Sequence, residues 1–151
     1  MEILTALMVK LTGKQVVIIG GGNVALRKAK GLVITGANII VVSPTILPEL
    51  LALPHVTWRE KHFTPEDIQS AHLVYAATND PQINRLVGES VQDWQWFNDT
   101  SQPEYSNFYT PAMIYAADLT VAISTEGKNP AKAKQIKQQL LAYLKTHDHI
   151  N

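Results

Sequence analysis

The feature that most constrains this chain is Gly20-Gly21-Gly22, entered directly from the apolar pentapeptide Gln15 to Ile19 (QVVII). A short β-branched run bounded by glycines predicts a buried strand ending in a tight turn. Residues 23 to 35 carry Ala25, Ala29, Leu32 and Val33 on one stripe and stop at Gly36, which predicts a helix. Asn38 to Val42 (NIIVV) is apolar without alternation, the pattern of a strand covered on both faces. Strand, glycine turn, helix and strand in about thirty residues make a βαβ unit.

The alternation continues. Val56 to Arg59 reads as a short strand, and Thr64-Pro65 as a cap and first position of a helix. His72 to Ala77 is a further buried strand; Asp80-Pro81 repeats the cap-and-proline signal before a helix to about Gln92; Trp94 to Phe97 closes a fifth strand. Residues 1 to 98 are therefore expected to form an α/β, Rossmann-type open parallel sheet with helices on both faces.

After Asn98 the texture changes. Residues 99 to 107 are polar and turn-rich, then Phe108 to Tyr115 and Leu119 to Ser124 read as two strands around Ala117-Asp118. Asn129-Pro130 starts a last helix, with Ala133, Ile136, Leu140 and Leu144 on one face. A hairpin and one helix cannot bury both their faces alone. Residues 99 to 151 are therefore expected to be a dimerisation and substrate-covering region that packs on a second copy in a homodimer.

Composition removes several classes of function. With 13 Lys+Arg against 13 Asp+Glu, the chain lacks the excess cation that nucleic-acid binding by bulk electrostatics requires. With no cysteine, thiol nucleophiles, thiolate zinc sites and cysteine-held iron–sulfur clusters are excluded. The apolar stretch Ile3 to Val9 is too short to cross a bilayer, so a cytoplasmic protein with no membrane partner is expected. His55, His62 and His72 lie on separate elements and His147 and His149 in the tail, so no metal site is expected.

The glycine turn has a chemistry. Gly20-x-Gly22-x-x-Ala25 between strand and helix is the dinucleotide pattern: Gly20 for the tight turn, Gly22 for close approach of a pyrophosphate, Ala25 for helix–sheet packing. The amides of Asn23 and Val24 open the helix and face the phosphates. The acid usual about twenty residues on is missing, because the second strand runs into Ser43-Pro44-Thr45. Ser43 and Thr45 then have to hold the ribose. No Lys or Arg stands between Lys30 and Arg59 to take a 2′-phosphate, which favours NAD over NADP. Thr78-Asn79-Asp80, after the fourth strand, is placed to line the nicotinamide end; Asp80 is equally placed to cap a helix.

Six blocks together carry a family resemblance: IIGGGNVALRKAKGL (18 to 32), VVSP (41 to 44), AATND (76 to 80), Phe108 with Pro111-Ala112, Asp118-Leu119-Thr120, and AISTEGKNPA (122 to 131). In this order they resemble the precorrin-2 dehydrogenases, which are also the dehydrogenase module of sirohaem synthases. The resemblance implies NAD-dependent oxidation of precorrin-2 to sirohydrochlorin by a homodimer. Some members also insert Fe²⁺, so a bifunctional dehydrogenase and ferrochelatase is one alternative, and a non-catalytic dinucleotide-sensing module is another. In much of the family the fifth strand ends in Asn-x-x-Asp, with that Asp proposed to act in catalysis; here Ser101 stands in its place, after Asn98-Asp99-Thr100. Three arrangements remain open: Asp99 is the acting carboxylate, Ser101 only positions substrate, or solvent or a substrate carboxylate takes the proton. Asp99 can also simply cap a turn. The substrate carries many carboxylates, for which Ser124, Thr125 and Lys128 are the candidate donors.

Overall fold

The computed structural model describes residues 3–116 and 118–147, so Ala117 and His149 lie outside the described residues. It divides into two compact units, Ala6–Phe108 and a smaller one built mainly from the chain after Tyr109.

The larger unit holds β1 (Gln15–Ile19), α1 (Asn23–Val33), β2 (Asn38–Ser43), α2 (Pro48–Leu51), β3 (Val56–Glu60), β4 (Leu73–Ala76), α3 (Pro81–Ser90) and β5 (Trp96–Asp99). Single 3₁₀ turns occupy Pro65–Ile68 and Pro103–Tyr105. The strands form one parallel sheet in the order β3-β2-β1-β4-β5. The order reverses direction beside β1, and in such sheets ligands bind outside the carboxyl ends of the strands at that switch.

The unbroken apolar runs follow from burial on both faces. Val16, Ile18, Ile39, Val41 and Tyr75 pack on one face with Ala25, Ala29 and Leu32 of α1. Val17, Ile19, Ile40, Val42, Val74 and Ala76 pack on the other with Ile68, Val87 and Phe97. Each fully buried Val or Ile contributes about 1.5–3 kcal/mol. Ala25 and Ala29 are wholly buried, letting α1 lie close against the strands that carry the glycine turn.

The fifth strand is displaced from its expected place at Trp94 to Phe97. It runs from Trp96 to Asp99, because Gln95 turns inward. That side chain is 1% exposed. Its Nε2 donates to Ile68 O (2.6 Å) and Ala71 O (2.7 Å), and its Oε1 accepts from Gln92 N (2.8 Å). Trp94 stays outside, edge-on to His72. Asn98 and Asp99 thus belong to the strand rather than to a following loop. The helix expected after Thr64 is only a 3₁₀ turn, closed by a reciprocal capping box of Thr64 and Asp67. Residues 99 to 108 pack with the parallel sheet, since Asn107 Oδ1 accepts from Phe97 N (2.6 Å) and Asn98 Nδ2 donates to Phe108 O (2.9 Å).

The smaller unit contains the antiparallel pair β6 (Ala112–Tyr115) and β7 (Thr120–Ile123) and the helix α4 (Pro130–Thr146). Both strands are shorter than Phe108 to Tyr115 and Leu119 to Ser124 suggest. Asn129 caps α4, its side chain accepting from Lys132 N (2.9 Å). Ala133 and Leu144 are buried, while Ile136 is more than a third exposed.

Candidate functional site

The carboxyl end of β1 opens into the glycine turn, where each glycine has its own reason. Gly20 has φ +119°, and a Cβ there would stand 2.3 Å from the Ala77 carbonyl oxygen, so the turn abuts the end of β4. A Cβ on Gly21 would stand 2.1 Å from Thr45 O and 2.6 Å from Ser43 Oγ. Gly21 O also accepts from Leu47 N (2.9 Å), tying the turn to the segment after β2. A Cβ on Gly22 would meet nothing within 4 Å. Gly22 therefore faces open space, as close approach of a ligand requires, whereas Gly21 serves the internal packing of the turn. Sequence reasoning passed over Gly21; its signal was the unbroken run of three glycines.

Gly22 is the N-cap of α1 and offers no side chain to the orphan amides, and the first turn holds no acid. The amides of Asn23 and Val24 thus stand at the positive end of an eleven-residue helix. Behind the turn, Ser43 is 5% exposed, and its Oγ is a buried polar atom with no hydrogen-bond partner. An unsatisfied buried hydroxyl costs about 1–3 kcal/mol. Pro44 and Thr45 are exposed beside it. Open Gly22 and the uncapped amides after β1 fit the anion of a dinucleotide, with exposed Thr45 beside them after the neighbouring β2.

The cations that follow β2 are paired with a carboxylate. Arg59 and Lys61 stand beside the end of β2, with Val42 paired to Arg59 and Lys61 N donating to Ser43 O. Both side chains turn to the buried Asp67, at 3.6 and 2.9 Å. In α1, burial and then the neighbouring Arg27 lower the pKa of Lys28, whose Nζ lies 5.6 Å from the centre of the Tyr75 ring.

At the end of β4, the Thr78 hydroxyl donates to Asn84 Oδ1 (2.6 Å) and accepts from Asp80 N (3.1 Å). Asn79 and Asp80 are exposed, and Asp80 caps α3 through Gln82 N (2.8 Å). Next along the sheet edge, Asp99 is 2% exposed. Its Oδ1 accepts from Ser101 N (2.8 Å), Ser101 Oγ (2.7 Å) and Gln102 N (3.0 Å). The turn-capping role and a hydrogen bond to Ser101 are thus both realised in one carboxylate. Asp99 also lines a cleft of about 260 Å³ with Asn84, Arg85, Gly88, Phe97 and Tyr105. Asn84 was not singled out from sequence; an asparagine in the first turn of a helix gives no signal by itself.

The remaining candidates lie in the smaller unit, where each has a local partner. Ser124 Oγ accepts from Glu126 N (3.0 Å), Thr125 Oγ1 from Asn129 N (3.1 Å), and Lys128 Nζ pairs with Glu126 (2.6 Å). Among the described residues there is no group of three or more His, Asp or Glu placed to hold a metal ion. Among the same residues, no helix is long and apolar enough to cross a membrane.

Comparison with known proteins agrees with this geometry. A family model described as NAD(P)-binding matches residues 7–112. Precorrin-2 dehydrogenase of Bacillus subtilis (strain 168) is 32% identical over 137 residues, covering 89% of this chain and 85% of the relative. Siroheme synthase 1 of Aeromonas salmonicida (strain A449) is 39% identical over 142 residues, 91% of this chain but 30% of that longer protein. The solved structure of SirC, precorrin-2 dehydrogenase, superposes with a TM-score of 0.81 at 32% identity, over 93% of this chain and 71% of that one.

Proposed function

The chain belongs to the precorrin-2 dehydrogenase family, and we propose that it is the NAD-dependent oxidoreductase that converts precorrin-2 to sirohydrochlorin in sirohaem synthesis. The observation that carries the cofactor is the cradle at the β1 turn, where Gly22 opens onto free space in front of the uncapped amides of α1. The family relationship carries the substrate.

Bound NAD supplies the hydride acceptor. The protein supplies position and a proton acceptor. Asn23 and Val24 amides hold the pyrophosphate, Ser43 with Thr45 holds the ribose, and Pro44 turns the chain after β2. Thr78, Asn79 and Asp80 line the nicotinamide end, bringing the reacting carbon within range and excluding water. With that hydride acceptor in place, oxidation of precorrin-2 would leave one proton for the protein to take. Ser101 Oγ takes that proton while passing its own to Asp99 Oδ1, so Asp99 ends protonated and Ser101 is unchanged. A serine hydroxyl does this only with a base beside it, and the 2.7 Å hydrogen bond to Asp99 supports that role.

In the hairpin unit, Ser124, Thr125 and Lys128 serve the substrate carboxylates, the two hydroxyls donating their protons while still accepting from Glu126 N and Asn129 N, and Lys128 exchanging Glu126 for a carboxylate oxygen. The apolar side chains left open there, Tyr115 at 49% and Tyr143 at 53% exposure, support a homodimer. Sedimentation is expected to give twice the chain mass, and a monomer at micromolar concentration would count against it. A cytoplasmic location, where NAD is at hand, completes the reading.

The test is anaerobic incubation with precorrin-2 and NAD, following NADH and sirohydrochlorin absorbance together. Equal amounts of both establish the dehydrogenase, and Fe²⁺ added afterwards reports whether iron insertion accompanies it. NAD binding without turnover would favour a dinucleotide-sensing module.

A further inference from the structure

We propose that Asn84 is a positioning residue, which orders the Ser101 hydroxyl so that its proton points to Asp99 and ties that pair to the Thr78 loop. This rests on the reading of Asp99 and Ser101 as the proton acceptor.

Asn84, in the first turn of α3, is 1% exposed. Its side-chain amide is used to capacity. Oδ1 accepts from Thr78 N (3.1 Å) and Thr78 Oγ1 (2.6 Å), while Nδ2 donates to Thr78 O (3.2 Å) and Ser101 Oγ (3.1 Å). The backbone N–H of Thr78 can only donate, so the atom facing it must be Oδ1 and the orientation of the amide is settled. Nδ2 in turn can only donate, so Ser101 Oγ must accept from it. The single proton of Ser101 is then directed to the one remaining acceptor, Asp99 Oδ1 at 2.7 Å.

The chain of donors runs Asn84 to Ser101 to Asp99, leaving a lone pair of Oγ for the incoming proton. Ser101 is exposed, so that lone pair is accessible. A proton arriving at Oγ displaces the existing one onto Asp99, and no bond to Asn84 changes. An amide in this place is informative. It neither gives up nor takes a proton at working pH, so it fixes a direction without competing for charge. The same amide grips both the N–H and the C=O of Thr78, so the loop at the end of β4 and the acceptor on β5 are held by one group. Networks of this kind act as units rather than as sums of pairs.

Asn84→Asp tests the assignment, because it keeps the shape and both acceptor contacts to Thr78 but removes the donor to Ser101 Oγ, together with the donor to Thr78 O, whose loss is the same with or without the Ser101 hydroxyl. The serine proton then has two carboxylates to choose between. The expected result is a fall in kcat of about 3-fold to 10-fold, no more than the loss of the Ser101 hydroxyl itself, with KM for NAD within about 2-fold of wild type. In a Ser101→Ala background the same substitution is expected to cost less than about 2-fold more, since its target is gone. Equal losses in both backgrounds, or an unchanged kcat in Asn84→Asp, would overturn the proposal.

Failure of the underlying reading looks different. There, Asp99→Asn and Ser101→Ala themselves leave kcat unchanged. A wild-type measurement stands beside the variants should Asn84→Asp not fold: single-turnover rates in mixtures of H₂O and D₂O. A bowed dependence, from two protons moving together, supports the ordered chain, and a linear one overturns it.

Discussion

Ser101 Oγ lies 2.7 Å from Asp99 Oδ1, two residues away at the end of β5, and donates its proton to it. Ser101 is therefore coupled to the carboxylate that ends β5. Asp99→Asn keeps the acceptor for the Ser101 and Gln102 amides, so the turn is retained while the base is lost. It is expected to lower kcat about 10²-fold without changing NAD affinity, and Ser101→Ala to lower it about 10-fold. Stopped-flow NADH formation reads both. Wild-type rates in the two variants would show that solvent or a substrate carboxylate takes the proton.

The neighbouring glycines predict opposite kinds of damage. A Cβ on Gly22 meets nothing within 4 Å, so Gly22→Ala is expected to fold normally and to lose NAD affinity, more so as Gly22→Asp, which sets a carboxylate against the pyrophosphate. Gly21→Ala places its Cβ 2.1 Å from a backbone oxygen and is expected to cost about 3 kcal/mol of stability. Thermal unfolding with NAD titration separates the two. Full NAD affinity in Gly22→Asp would place the cofactor elsewhere.

The legible part of this chain was the part governed by burial and turn chemistry. The runs at β1, β2 and β4 sit between two helical layers, so their composition declares their place, and glycine declares the turn. What escaped depends on single polar side chains finding distant partners. Gln95 breaks the aromatic pattern Trp94 to Phe97 by reaching the carbonyls of Ile68 and Ala71, which shifts β5 and makes Asp99 a strand residue. Asn84 becomes significant only because folding brings Thr78 and Ser101 to it from two other elements. Neither contact has a local periodicity from which it can be read.

Gln95 accordingly carries a stability prediction. Gln95→Leu fills the same volume but removes the side-chain partner of the Ala71 carbonyl, leaves the Ile68 carbonyl with only the Ala71 amide, and takes the acceptor from Gln92 N. Leaving buried polar groups unpaired is expected to cost about 2–4 kcal/mol in total. Urea unfolding should show a lower midpoint with an unchanged slope, and kcat at low temperature should stay near wild type because Gln95 does not touch the reacting groups. A variant as stable as wild type would mean that water replaces the amide.

Asp67 gives the pH dependence. Burial, the largest single influence on its carboxyl, pushes its pKa up, but the Lys61 ammonium and the Thr64 amide and hydroxyl together outweigh burial and hold it below the ordinary aspartate value. A carboxyl with a lowered folded-state pKa binds its proton more readily when unfolded. Its contribution to stability is therefore complete above the unfolded value of about 3.9 and is lost as pH falls through the lower folded value. Asp67→Asn should thus destabilise the protein near neutrality by about 1–2 kcal/mol, the scale of a lost cap with a half-exposed lysine partner. Below about pH 3 the gap to wild type should shrink, since the wild-type carboxyl is then being protonated too. Thermal midpoints of the two proteins at pH 7, 5 and 3 measure this, and a gap that stays constant across the series would show that Asp67 acts through shape rather than charge.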